Sequence, residues 1–255
     1  MYLVVDVGNS TVQLGFYQNE TLIKRFGFNT EVNRSEDELL FRVQEQLNLY
    51  KLNKDDVDYI LFSSVVPSIN LQLTLALKRI FDKATFIDMA YKVKTGLAMK
   101  CDNPNEVGHD LIADMVAAKK KYGYPSIVVD LGTATKVLLI DKDGFFASAA
   151  IMPGLIVSSR SLFASGEQLP NIPLQTPKKV IAKNTIDCMN VGIIYGHLDG
   201  FMGIVNRTIK EIGYPCKKIL TGGASIYVKD LIKDEYIYDE NLCTDGLIDI
   251  LKRNI

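Results

Sequence analysis

The chain is poor in the residues that metal, redox and nucleic-acid chemistry require. It has two histidines, His109 and His197, in 255 residues; two are too few to give a metal cluster, and each is expected at the surface or in a hydrogen bond rather than in catalysis. Its four cysteines, Cys101, Cys188, Cys216 and Cys243, are scattered with no CxxC spacing. Neither a zinc nor a dithiol motif is present, so reduced thiols are expected. Charge of one sign is also missing: 29 basic side chains face 30 acidic ones, so no uniform field draws in nucleic acid or an anionic membrane. Tyr and Phe sit among aliphatic residues rather than between Lys and Arg, which gives no stacking platform for single strands. The run Lys119-Lys120-Lys121 reads as the solvated, cation-favouring end of a helix. Met1 leads into an apolar strand without a basic region, a leader-length apolar stretch or a small-residue cleavage site, so neither export nor membrane spanning is expected and the cytoplasm is the expected compartment.

What is present is a pattern that runs and then restarts. β-rich stretches at Tyr2 to Asp6, Gln13 to Tyr17 and Thr21 to Phe28, with Gln18-Asn19-Glu20 as a turn, predict three antiparallel strands. Ser35 followed by Glu36-Asp37-Glu38 caps a periodic stretch through Leu39, Leu40, Val43, Leu47 and Tyr50, an amphipathic helix. A strand at Asp58 to Ser63, a helix from Ser68 to Phe81 and a strand at Thr85 to Ile87 follow. A helix from Asp110 to Tyr122, stopped by Gly123-Tyr124-Pro125, opens the second run. Strands are then expected at Ser126 to Asp130, Lys136 to Ile140, Phe145 to Ala149 and Lys218 to Leu220. Helices are expected around Pro153 to Phe163, Asn184 to Ile212 and Thr244 to Arg253. A shared architecture in both halves marks a duplicated lobe rather than a short-period repeat. The expected division is 1–113 and 114–255, with no low-complexity linker to sharpen it.

Each half also carries the same chemistry-bearing turn. A strand ends in Asp-x-Gly and passes through a hydroxyl-rich turn into the next strand, at Asp6-Val7-Gly8-Asn9-Ser10-Thr11 and at Asp130-Leu131-Gly132-Thr133-Ala134-Thr135. Glycine lets backbone amides approach an anion closely, and the hydroxyls can donate to phosphate oxygens. An aspartate at the strand end can reach a hard cation or its water. One such turn reads as an ordinary hairpin; two in matched positions point to phosphate loops. Leu220-Thr221-Gly222-Gly223-Ala224, between a strand and a helix, suits a backbone platform beside a nucleoside.

These three elements in this order resemble the superfamily of acetate and sugar kinases, heat-shock ATPases and actin. The segments DVGNST, NPNEVGHDLIADMVAA, VVDLGTATKV, IMPGLIVSSRSLF, NT followed by GIIYG, and LTGGAS further resemble the type III pantothenate kinases along nearly the whole chain. The resemblance implies an α/β fold of two duplicated ribonuclease H-like (actin-like ATPase) lobes, each a mixed five-stranded sheet flanked by helices. It implies ATP-dependent phosphorylation of pantothenate to 4'-phosphopantothenate, the first step of coenzyme A biosynthesis. ATP, Mg2+ and a monovalent cation, K+ or NH4+, are the implied cofactors, and a homodimer with its active site at the subunit interface is the implied assembly.

Residue by residue, the resemblance places Asp6, Val7, Gly8, Asn9, Ser10, Thr11, Val12, Gln13 and Thr133 at ATP. It places Asp130 at the monovalent cation and Asp6 near Mg2+, through water. Gly108, His109, Asp110, Leu111 and Thr185 fall at the acceptor. Asp110 is its general base: transfer to an alcohol needs the hydroxyl oriented and its proton accepted as the bond to phosphorus forms. Without the resemblance, a carboxylate in the first turn of a helix reads first as a cap or dipole partner. Met152-Pro153-Gly154-Leu155 falls at a loop that positions the active site. Two residues depart from the family pattern, Leu111 for an arginine of the acceptor-binding segment and Cys101 for a substrate-contacting tyrosine. They leave the phosphoryl chemistry intact and alter the acceptor's recognition. Two other functions fit the same residues, a same-fold kinase for another small alcohol and a non-catalytic nucleotide-binding regulatory protein.

Overall fold

The computed structural model describes residues 1–91, 93–166 and 169–255. Two compact units divide them: Met1–Leu97 with Asn103–Ala117 and Leu242–Ile255, and Ala98–Asp102 with Ala118–Asn241. The first contains β1 (Tyr2–Val7), β2 (Thr11–Gln18), β3 (Thr21–Asn29), α1 (Glu36–Leu49), β4 (Tyr59–Ser64), α2 (Pro67–Ile80) and β5 (Thr85–Asp88). The chain then enters α3 (His109–Tyr122), along which the units change over. The second unit holds β6 (Ser126–Leu131), β7 (Ala134–Ile140), β8 (Phe146–Pro153), α4 (Leu155–Ser165), α5 (Thr185–Ile212), β9 (Lys217–Thr221) and β10 (Ile237–Tyr238); α6 (Leu242–Lys252) follows.

The first sheet has the order β3-β2-β1-β4-β5 and the second β10-β9-β6-β7-β8. Read from the hairpin side, β8-β7-β6-β9-β10 repeats the first sheet strand for strand. In both, the first three strands pair antiparallel and the last two join parallel. The duplication read from the paired turns is therefore a duplication of topology. Parallel pairs need crossovers: α1 lies between β1 and β4 and α2 between β4 and β5 in the first unit, and α4 and α5 lie between β6 and β9 in the second, where short 3-10 turns lead on to β10.

Local signals account for the elements. Ser35 and Glu38 form a reciprocal capping box at α1, satisfying two donors that a helix start leaves bare. Leu39, Val43 and Leu47, one helical turn apart, are then buried against α2, where Pro67 opens the helix and Ile69, Leu73, Ala76, Leu77 and Ile80 face inward. These side chains cover Leu3, Val5 and Val7 of β1. Val4 is equally buried, and α6 lies along β1 and β4, so the central strand is covered on both faces as parallel strands require. α6, which the two-lobe reading places after residue 114, thus belongs to the first unit.

In the second unit, Ile127, Val129 and Leu131 of β6 pack with Val137 and Leu139 of β7 and with Met189, Ile193, Ile194, Leu198, Phe201 and Val205 of α5. By length and composition α5 is long and apolar enough to cross a membrane. Those six residues are buried in the core of the unit. Asn184 caps α5 by accepting from the Asp187 N–H, and Gly213, at φ +75°, ends it in the left-handed conformation that glycine adopts without penalty.

The Lys119 to Lys121 run closes α3 with Lys120 and Lys121 exposed, as expected of a solvated helix end, and two of its lysines also make specific bonds. Lys119 Nζ donates to the Gly144 carbonyl at 2.7 Å, and Lys121 Nζ pairs with the buried Asp239 at 2.6 Å. The run ties the end of α3 to the β7–β8 turn and to the residue that follows β10.

Candidate active site

At the first turn, Asp6 stands in register opposite Gln13 on β2 and Ser63 on β4. The Gly8 N–H donates to the Thr11 carbonyl at 3.0 Å, and Thr30 Oγ1 donates to the Gly8 carbonyl at 2.6 Å. Thr30 N–H also reaches the Ser10 carbonyl at 3.0 Å. The turn is thus fixed by the residue that follows β3, while Asn9 and Ser10 stay exposed. A rigid backbone with exposed polar tips is what an anion-binding turn needs, because the donors are already oriented before the ligand arrives.

The second turn is built more tightly. Asp130, the last but one residue of β6, is buried within that strand's buried run. Thr133 is exposed at the tip. The β8 strand returns at Pro153-Gly154, where the Gly154 N–H donates to the Thr133 carbonyl at 3.1 Å. A Cβ on Gly154 would overlap the carbonyl oxygens of Thr133 and Gly132 and lie 2.8 Å from the Thr133 carbonyl carbon. Gly222, at φ +90°, packs equally close: a Cβ there would overlap Asp130 Oδ1 and lie 2.5 Å from the Leu131 nitrogen. Gly223 faces open space and is exposed. One unit therefore brings together Asp130, the Gly132-Thr133 tip, Gly154 and the Gly222-Gly223 turn. The IMPG and TGG segments, distant in sequence, are the walls of the same turn.

Asp110 lies in the first unit, in the opening turn of α3. Its carboxylate folds back over Gly108, where a Cβ would meet Oδ1 at 2.5 Å, and Ile112 N–H donates to the Gly108 carbonyl at 3.1 Å. Glycine at 108 is what lets the side chain take this position. Below it, Gly246 of α6 lets the two helices touch: a Cβ there would strike the Ala113 carbonyl, with the carbonyl carbon at 2.5 Å. This contact anchors α3 less than one turn from Asp110. His109 is half-buried, whereas Leu111 is 8% exposed, so it offers an acceptor at most an apolar edge.

Thr185 is the first residue of α5 and lines a cavity of about 940 Å³ in the second unit, with Lys183, Asn184, Cys188, Gly192 and His197 among its walls. His197 is buried and shares a 2.8 Å hydrogen bond with Thr135 Oγ1 of β7. Burial pushes its pKa below the ordinary histidine value, because desolvation disfavours the imidazolium. Of the two roles the sequence allows for it, the hydrogen-bonded one is realised. All four cysteines are free thiols.

Among the described residues, no group of three or more His, Cys, Asp or Glu side chains can hold a metal ion. Magnesium entering with ATP would draw its ligands from phosphate oxygens and water, which Mg2+ gives up reluctantly; within the second unit alone, the glycine-lined backbone at Gly132 and Gly223 fits such phosphate oxygens. A monovalent cation at Asp130 does not fit the same test. Lys136, directly opposite on β7, donates to Asp130 Oδ2 at 2.8 Å and already neutralises it. Lys136 was missed in the sequence, although a six-residue hairpin separation puts it across from Asp130.

Two five-stranded sheets of one topology, each with an Asp-x-Gly turn after its central strand, define the actin-like ATPase and sugar kinase fold. Solved structures agree. One described as a Baf family transcriptional activator from Campylobacter jejuni superposes with a TM-score of 0.60 at 21% identity, covering 99% of this chain and 98% of that one. Another, described as a 2-dehydro-3-deoxygalactonokinase from Sinorhizobium meliloti, does so at 0.59 and 10%, covering 99% and 96%. Sequence narrows the class further: the family described as Type III pantothenate kinase matches residues 2–207. The Type III pantothenate kinase of Halalkalibacterium halodurans is 38% identical over 255 residues, 100% of both chains. The chain belongs to the type III pantothenate kinase family.

Proposed function

We propose that the chain phosphorylates pantothenate at its primary hydroxyl, using ATP to form 4'-phosphopantothenate in the first step of coenzyme A biosynthesis. The observation that carries this reading is full-length similarity to type III pantothenate kinases in a chain that keeps both Asp-x-Gly turns and Asp110. Segment Asp6 to Gln13 and Thr133 bind ATP, with Asp6 oriented to a Mg2+-bound water. Gly108, His109, Asp110 and Thr185 orient the acceptor, and Leu111 supplies an apolar edge. Asp110 takes the hydroxyl proton as the oxygen attacks the γ-phosphorus, so the nucleophile gains negative charge only as the new bond forms. Magnesium, when bound with ATP, neutralises charge on the transferring phosphoryl group.

The reading includes a cytoplasmic homodimer with pantothenate bound at the subunit interface. It is supported by the exposed apolar side chains of the second unit, Ile151 on β8, Val157 and Leu162 on α4 and Ile186 on α5, since apolar surface of this kind is costly to leave in water. The burial of Leu111 favours one second reading, a kinase of this fold acting on a different small alcohol. Coupled ADP detection across a panel of alcohols, with mass detection of the product, separates the two. Pantothenate-dependent ADP release with 4'-phosphopantothenate as product is expected. An inert pantothenate beside another alcohol that turns over sinks the assignment.

A further inference from the structure

We propose that the Lys136 ammonium is the resident cation of the second phosphate turn, so that ATP binding and turnover need no added potassium or ammonium ion. The inference rests on the kinase reading above only for its turnover arm.

The two turns are alike in backbone and unlike in charge. In the first sheet the residue opposite Asp6 is Gln13, a neutral amide. In the second, the residue opposite Asp130 is Lys136, whose Nζ lies 2.8 Å from Asp130 Oδ2 with both side chains mostly buried, 16% and 12% exposed. The other carboxylate oxygen is packed against the Cα of Gly222, where even a methyl group has no room. Asp130 is therefore enclosed on one side by the β9 turn and charge-paired on the other.

A monovalent cation on this carboxylate would sit beside an ammonium of the same sign in a poorly solvated pocket, where like charges repel far more strongly than in water. An ammonium tethered by a side chain supplies the same single positive charge without being drawn from solution. Antiparallel pairing places it there in the folded chain. Lys136 thus acts as a positioning residue: it fixes Asp130, which leads directly into the Gly132-Thr133 tip.

The test uses the whole chain. Affinity for Mg-ATP is measured by titration calorimetry, and pantothenate turnover by product formation, each in potassium, ammonium and tetramethylammonium salts at one ionic strength. For the unaltered protein both quantities should agree within about twofold across the salts. Lys136→Thr should lose about 100-fold in affinity in tetramethylammonium, because a buried carboxylate loses its ammonium partner, and potassium or ammonium should restore it. Lys136→Arg should stay indifferent to the salt. A lysine that merely braced the hairpin would lower thermal stability in Lys136→Thr without cation rescue. Potassium stimulation of the unaltered protein by tenfold or more overturns the proposal, and so does a Lys136→Thr variant that binds Mg-ATP normally in tetramethylammonium. Should pantothenate prove inert in every salt, the kinase assignment fails, and the calorimetric arm still decides the role of Lys136.

Discussion

Replacing Gly154 with alanine pushes one methyl group into the backbone of the turn that carries Thr133. Gly154 has φ −68° and ψ 157°, a conformation alanine adopts freely, so the whole effect is steric. The new Cβ would lie 2.8 Å from the Thr133 carbonyl carbon; carbon atoms prefer about 3.5 Å or more, so the strands must part by about 0.7 Å. Overpacking of this size costs about 1–3 kcal/mol. In a chain of this length that lowers Tm by roughly 2–12 °C, at about 2–4 °C per kcal/mol. Turnover should suffer more than stability, because a displacement of about 1 Å at a phosphate-positioning turn can cost about 100-fold. The assay is kcat/KM for ATP well below Tm, together with a melt. A fall of about 10–100-fold in kcat/KM with a folded protein is expected. A lowered Tm with unchanged kcat/KM would refute the placing of Thr133 at the nucleotide.

The neighbouring Gly223→Ala behaves oppositely: its Cβ meets nothing within 4 Å, so Tm should hold while calorimetry shows Mg-ATP affinity weakened by about tenfold. Unchanged affinity would remove the Gly222-Gly223 turn from the nucleoside platform. His197, its pKa lowered by burial, binds a proton more readily unfolded than folded. Its contribution to stability is therefore full above about pH 6.5 and is lost as pH falls towards the folded value. Melts of His197→Gln should show a flatter decline of Tm across that range, and an identical decline would show that His197 is not the titrating group.

The strands and turns at the two Asp-x-Gly motifs were legible because each ends an apolar run and glycine marks the bend. β10, only Ile237–Tyr238, is too short to show a period of two. Proline and glycine at 153 and 154 suggested a helix start, yet Pro153 ends β8 and Gly154 is the N-cap of α4, its glycine demanded by the Thr133 turn. The return of α6 to the first unit depends on contacts with β1 more than 200 positions away, which no local pattern encodes. Distance also hid the partner of Lys121, since Asp239 is 118 residues further on. Lys136 is the instructive miss: hairpin register was enough to set it opposite Asp130, and with it the charge of the second turn.

Asp110 is proposed to accept the proton of the acceptor hydroxyl. Production of 4'-phosphopantothenate by Asp110→Asn, measured by mass spectrometry beside a calorimetric titration with Mg-ATP, tests it most directly. The variant should bind Mg-ATP as the unaltered protein does and form product about 10²–10⁴-fold more slowly. Product formation at the unaltered rate would contradict the claim and return Asp110 to the role of a helix cap.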